Sequence, residues 1–472
     1  MSPRERFGPV GRLARLRRRA LAVGAVGVAL VLSAAGCGWG DTGSGAASGG
    51  PDDTEVAAGD VALFDAEVVH DLAIDVDPDD LDAMVATFEE TGDKTWIEAT
   101  VTIDGATYER AGIRLKGNSS LRGVATADPV DLPWLIRLDR FVDGQTHQRY
   151  EDIVVRSNGS ETSLNEAVAL DLLAEAGLAS EAAAPARFIV GGSDPRLRLI
   201  VEHPDDDEWS ETTFDGLGAL YKSESTGDWS YRGDDPASYD EVFDQEGGKD
   251  VADLTPLIDL LRFLDEADDD TFAAELDERL DVDAFASYLA MMELVANFDD
   301  IDGPGNNSYL WWDAGTERFT VVPWDLNLAF GTGMGGGAGG SGGAPGGGGF
   351  PGGLPGGGPE GGGGGGGSPG GAGGPGGPGG DPPGAMRPEG GGGGPGGFGR
   401  SNPLVERFHA DDGFQALYEE RLADLRAELF DGGRAQEILD ARASVLVEDA
   451  ADLVDADTVQ SEADAIAATW TG

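Results

Sequence analysis

Asn297-Phe298-Asp299-Asp300-Ile301-Asp302-Gly303-Pro304-Gly305-Asn306-Asn307-Ser308-Tyr309-Leu310-Trp311 follows a stretch of helical spacing that carries Phe285, Leu289, Met292, Leu294 and Val295, and it runs into a strand. A second acidic loop comes shortly after: Val321-Val322-Pro323-Trp324-Asp325-Leu326-Asn327-Leu328-Ala329-Phe330-Gly331. An Asp at a helix end, an Asn a few residues on, then a strand pair leading to an Asp and a Phe-Gly, is the layout of a catalytic loop and metal loop for phosphoryl transfer. That chemistry needs a carboxylate to orient a hydroxyl and accept its proton. It also needs oxygen ligands that hold Mg2+ against phosphates. Solvated turns in an acidic chain, or a calcium loop, are the other readings of the same residues. The EF-hand version of the latter fails. With Gly305 at position six, Asp300 and Asp302 fit positions one and three, but Pro304 and Trp311 do not supply positions five and twelve.

Outward from these loops the chain changes character. Val68 to Val76 alternates as a strand does, and Asp77 caps a helical stretch from Pro78 to Thr87. Trp96 to Ile103, Asp104-Gly105 and Thr107 to Leu115 form a hairpin signal, because Asp-Gly suits a type I′ turn. Further strands are expected at 134–138, 153–156, 186–190, 197–202 and 219–222, with a helix from Ser163 to Ala176 that stops at Gly177. From Val251 the spacing is helical over 251–266, 270–280 and 283–297. A strand pair follows at 309–312 and 319–322, and the tail beyond Pro403 is helical. A strand-rich first half and a helix-rich second half give an α+β chain that suits two lobes.

Composition narrows the function. The 472 residues carry 87 acidic against 32 basic side chains, a formal charge of −55. Coating DNA or RNA needs clustered Lys and Arg, so a nucleic-acid partner is not expected. One Cys excludes an internal disulfide framework and a Cys-ligated zinc, and four scattered His do not suggest a multi-His metal site. Only Lys94, Lys116, Lys222 and Lys249 are lysines.

Two segments stand apart from the folded part. Residues 1–36 hold seven Arg and one Glu, and the apolar run Ala20 to Ala35 is short for a membrane span of ~20 residues. The segment is expected to be an export signal. The small residues before Cys37 resemble a bacterial lipobox, which would make Cys37 a lipidated N-terminus and the protein an extracellular-face lipoprotein held to the membrane by that lipid alone. Residues 37–60 read as a flexible tether. Residues 331–400 contain 42 Gly and 11 Pro and are expected to be a disordered insertion. Loop-closure entropy rises only ~0.6 kcal/mol per doubling of length, so residues 61–330 and 401–472 are expected to form one domain around it.

Taken together the motifs resemble the CotH kinase family, the spore coat protein H-like atypical protein kinases. Gly112-Ile113-Arg114-Leu115-Lys116-Gly117-Asn118-Ser119-Ser120 is similar to its early signature. Gly218-Ala219-Leu220-Tyr221-Lys222 resembles its Leu-Tyr-Lys motif. The two loops quoted first are its most specific part.

The resemblance implies an atypical protein-kinase-like, two-lobed fold and an exported Ser/Thr kinase that uses ATP with Mg2+ or Mn2+ on a protein substrate. Asp299 would match the catalytic Asp and Asp325 the metal-binding Asp, with Asn307, or Asn306, as a further metal ligand. Lys222 and Lys116 are both candidates for phosphate contact, since a compact ammonium is not interchangeable with Arg at a tight phosphate site. Glu166 would pair with one of these lysines, with Glu202 as the alternative partner. Asn118, Ser119 and Ser120 would form a turn, either over the nucleotide or purely structural. Two features depart from ordinary kinases: there is no Gly-x-Gly-x-x-Gly loop and no His-Arg before the Asp. The other reading of the whole is a catalytically inactive cell-surface structural or adhesion protein on the same scaffold. Paired glycosidase carboxylates do not stand out among so many acids.

Overall fold

The structure, a computed structural model, describes residues 61–332 and 402–471, apart from Asn118, Arg122, Gly123 and Thr226. The expected export signal, Cys37, the tether, nearly all of the Gly-rich insertion and Asn118 lie outside the described residues.

The first half is built of short strands. β1 (His70–Asp75) leads into α1 (Pro78–Thr91), whose N-cap Asp77 accepts a hydrogen bond from the Asp79 amide. β2 (Ile97–Ile103) and β3 (Ala106–Leu115) form the expected hairpin, with Asp104 at φ 48° and Gly105 at φ 86°. These two positive angles are what a type I′ turn demands. β4 (Trp134–Arg137), β5 (Asp152–Val155), α2 (Leu164–Glu175), β6 (Ala183–Val190) and β7 (Arg196–Val201) follow. The strands close as a seven-stranded barrel in the order β1-β2-β3-β4-β5-β7-β6, sealed by the parallel pair β1–β6. Closure removes the exposed edges that an open sheet would leave. This barrel is a feature that the expected kinase-like first lobe does not specify.

Alternation along the strands gives the barrel two faces. Ile113, Leu115, Trp134, Ile136, Ile153 and Val155 fill its interior. Leu135, Val154 and Val201 belong to a second, larger core shared with the rest of the protein. Arg114, Lys116 and Arg137 fall on the same alternate positions as Leu135 and Val154, so the outer face of β3 to β5 is where charge meets that core.

After α3 (Asp207–Thr213) comes a four-stranded sheet, β11-β10-β8-β9, made of β8 (Gly218–Ser223), β9 (Phe243–Gly247), β10 (Ser308–Asp313) and β11 (Arg318–Pro323). Between β9 and β10 lie α4 (Thr255–Glu266), α5 (Asp269–Glu275) and α6 (Val282–Leu294), the last capped by Asp281 through the Ala284 amide. Beyond the insertion, α7 (Pro403–Ala410) returns to the same body. The Arg407 guanidinium donates to the carbonyls of Leu264 and Ala267 at 2.8 Å each, capping the end of α4. α8 (Asp412–Leu425), a π-helical turn at Arg426–Asp431, α9 (Arg434–Asp449) and α10 (Ala456–Thr471) complete the chain. Residues from all of these helices, including Leu404, Leu439 and Ile466, join the larger core. Among the described residues no helix is long and apolar enough to cross a membrane.

Candidate active site

The loop after α6 is shaped around one carboxylate. Asp299 accepts the Gly305 amide at 2.5 Å and a hydrogen bond from the Asn307 side chain. A Cβ on Gly305 would sit 2.7 Å from both Asp299 oxygens, so only glycine lets the loop fold this closely over the carboxylate. The neighbouring acids serve the loop itself. Asp300 is pushed up to about 6, chiefly by burial, and its carboxylate accepts the Asp302 amide at 3.0 Å. Asp302 accepts the Asn402 amide at 2.7 Å, and Asn402 also donates to the Ile301 carbonyl at 3.1 Å. The chain that returns after the insertion is thus pinned to the loop that holds Asp299.

The two asparagines divide. Asn307 faces Asp299. Asn306, at φ 48°, instead donates its amide to the carbonyls of Glu224 at 2.8 Å and Gly227 at 3.1 Å. Its side chain ties the loop to the segment after β8, which corrects its expected place beside Asn307 as a metal ligand.

The second loop leaves β11 through Pro323 and Trp324. Asp325 adopts φ 59°, ψ 61°, and the loop is tied down on both sides. Asn165 on α2 donates to the Asn327 carbonyl at 2.7 Å, and the Phe330 amide donates to the Val295 carbonyl at 2.6 Å. Of the ten non-glycine residues with positive φ among those described, Ala296, Asn306, Asp325 and Phe330 flank these two loops. Strain of this kind collects where surrounding contacts fix a functional geometry.

The two loops converge. Burial is the main cause that raises Asp299 above the ordinary carboxylate range. The Asp325 charge adds to it, while the Gly305 amide, Asn307 and Lys222 oppose it. Oδ1 of Asp325 is buried and makes no well-formed hydrogen bond, with the Arg156 guanidinium 3.1 Å away as its ion-pair partner. Among the described residues no three His, Cys, Asp or Glu side chains gather closely enough to hold a metal by themselves. The donor types of Asp299, Asp325 and the Asn307 amide suit Mg2+, which keeps several waters and takes one or two carboxylates plus substrate phosphates.

A family model described as CotH kinase protein matches residues 113–461. The chain belongs to the CotH kinase family. No curated protein matches it.

The CotH site has a cation layout that the motifs alone did not give. Lys222 on β8 lies opposite Tyr309 of β10, with its Nζ 5.3 Å from the ring centroid. It donates to the Ser223 carbonyl at 2.6 Å and the Asn306 carbonyl at 3.3 Å. Burial lowers it, against the charges of Glu224, Asp205, Asp325 and Glu246. Lys116 is brought down to about 8, chiefly by burial, and its Nζ lies 2.8 Å from His203 Nε2. His203 Nδ1 is 2.9 Å from Asp152, which the Arg137 guanidinium grips through two bonds of 2.6 Å. Asp152 is a carboxylate held low, so Nδ1 carries the proton and Nε2 accepts from Lys116.

The expected Lys–Glu pair is therefore not the pair that forms. Glu166 on α2 binds Arg156 at 2.6 Å. Glu202 accepts the Tyr150 hydroxyl at 2.6 Å and the Ala182 amide at 2.7 Å. Sequence reasoning passed over Arg156, Asp152, His203, Asp205 and Trp324. The signals for them were weak: one of only four His, followed two residues on by an Asp, and an aromatic directly before Asp325. Arg114, Arg137, His203, Asp205, Glu246 and Lys249 line a polar cleft of about 320 Å³ beside Lys116. A larger groove of about 1000 Å³ between α4 and the β10–β11 hairpin contains none of the site residues.

Proposed function

We propose that this CotH-family chain is an atypical Ser/Thr protein kinase that moves the γ-phosphoryl group of ATP to a protein hydroxyl with a divalent metal. The observation that carries the reading is the tie between the two acidic loops: the Phe330 amide donates to the Val295 carbonyl at 2.6 Å, which holds the segment bearing Asp325 beside the one that leads to Asp299. Asp299 orients the acceptor hydroxyl and takes its proton, and its raised pKa makes it a better base than an exposed Asp. Gly305 and Asn307 hold the carboxylate in place. Asp325 and Asn307 would hold Mg2+, which would neutralise charge on the phosphates. The arrangement is read as kinase-like, with the barrel standing where a first lobe would be. We also read the protein as exported and lipid-anchored through Cys37.

The test is transfer of label from [γ-32P]ATP by the protein to itself or to a basic substrate. Wild type should label with Mg2+ present, and Asp299→Ala and Asp325→Ala should each abolish labelling. A wild type that fails to label would favour the inactive scaffold, and labelling that survives both changes would overturn the roles assigned to Asp299 and Asp325.

A further inference from the structure

Arg156 joins the two halves of the site. It stands one residue beyond β5. Its guanidinium lies 2.6 Å from Glu166 on α2 and 3.1 Å from Asp325 Oδ1 on the metal loop. Its Cζ is 4.6 Å from the centroid of the Trp324 ring, within cation–π range. The residue is 9% exposed, and its Nε has no hydrogen-bond partner in the protein. Three acids act on this one cation: Glu166, Asp325 and Glu181. A buried guanidinium beside the metal loop, with its Nε donor unused, is placed for a ligand with several acceptor oxygens.

The two lysines are committed elsewhere. Lys116 is bound to the His203–Asp152 pair, and Lys222 to two backbone carbonyls. Arginine's planar fork also matches phosphate better than an ammonium does. Resting on the kinase reading, we infer that Arg156 is the cation that binds the nucleotide's phosphates. Asp325 Oδ1 cannot serve Arg156 and a divalent ion equally. When the ion takes Asp325, the guanidinium exchanges that contact for phosphate oxygens, and Glu166 keeps it aimed from α2. Glu166 is thereby a positioning residue, in the place where a Lys–Glu pair was expected.

The experiment is calorimetric titration of the full chain with ATP, AMP and tripolyphosphate in Mg2+, on wild type, Arg156→Lys and Glu166→Gln. Circular dichroism checks that each variant is folded. Arg156→Lys keeps the buried charge but loses the fork, so binding of ATP and tripolyphosphate should weaken ~10-fold or more, the worth of a charge-assisted hydrogen bond. AMP, with fewer phosphates, should lose less, so the ATP-to-AMP affinity ratio should fall. Glu166→Gln should move the same ratio in the same direction by a smaller factor. A purely structural role would not change that ratio. If folded variants keep the wild-type ratio, the inference is overturned while the kinase reading stands. If Arg156→Lys does not fold, Glu166→Gln decides by the same criterion. If wild type binds neither ATP nor tripolyphosphate, the kinase reading fails and this inference with it.

Discussion

Asp325 holds a left-handed backbone at φ 59°, ψ 61°, a conformation that costs a non-glycine residue about 1–3 kcal/mol. The bonds from Asn165 and Phe330 and the ion pair with Arg156 oppose that cost. Nearby, Glu181 is buried at 3% exposure and its Oε1 has no hydrogen-bond partner. Burial pushes its carboxyl up to about 8 from an ordinary 4.5. The sign follows directly. Between those values the folded protein keeps a proton that the unfolded chain has released, so stability falls as pH rises through the window. Burial raises Glu166 and Asp206, each to about 7, and both push in the same direction. Glu181→Gln imitates the protonated form. Its melting temperature, relative to wild type, should therefore rise between pH 5 and pH 8.5, with a gain of ~2 °C or more at the upper end. Thermal melts at the two pH values check this, and an equal shift at both would contradict it. None of this pattern was visible in the sequence, since Glu181 sits in an unremarked stretch of small residues and its burial is purely tertiary.

At the scale of elements, α2 is the hub. Its N-terminal approach is pinned by Glu462 of α10, which accepts the amides of Glu161 at 2.9 Å and Thr162 at 3.1 Å. Its middle is gripped by Arg442 of α9, which makes two bonds of 2.7 Å to Asp171 and one of 2.8 Å to the Ala183 carbonyl. The Arg442 side chain is 6% exposed and that of Asp171 32%. Arg442→Ala should lower stability by about 2–3 kcal/mol, less than a fully buried pair because Asp171 keeps water on one side. Urea unfolding measures it, and an unchanged midpoint would contradict the assigned grip. Elements with strong local signals were legible: the Asp77 cap, the Asp104-Gly105 hairpin and the stop at Gly177. α3 and β9 were missed for a physical reason. α3 has only seven residues, and in Phe243–Gly247 only Phe243 is buried, so neither carries an apolar period.

At the scale of the whole molecule, the barrel closes through pairs such as His70 with Ala186 and Ile74 with Val190. No local pattern announces a parallel pair between strands so far apart in the chain, so the strands were readable and their closure was not. The site shows the same division. The family resemblance pointed to Asp299, Asn307 and Asp325, and the two loops that carry them were legible from their spacing. The partner of Glu166 was not, because strand register and the approach of α2 decide which cation it meets. Both loops also frame the insertion, whose near side follows Phe330 and whose far side returns at Asn402, bonded to Asp302 and Ile301 in the loop that holds Asp299. The central claim is that separate loops of one body build a single metal–nucleotide site. Titration of ATP into wild type and Asp325→Asn, each with and without Mg2+, tests it most directly. The account predicts binding by wild type that depends on Mg2+ and a loss of that dependence in Asp325→Asn; ATP binding that is indifferent to Mg2+ in wild type, or equally Mg2+-dependent in the variant, would contradict it.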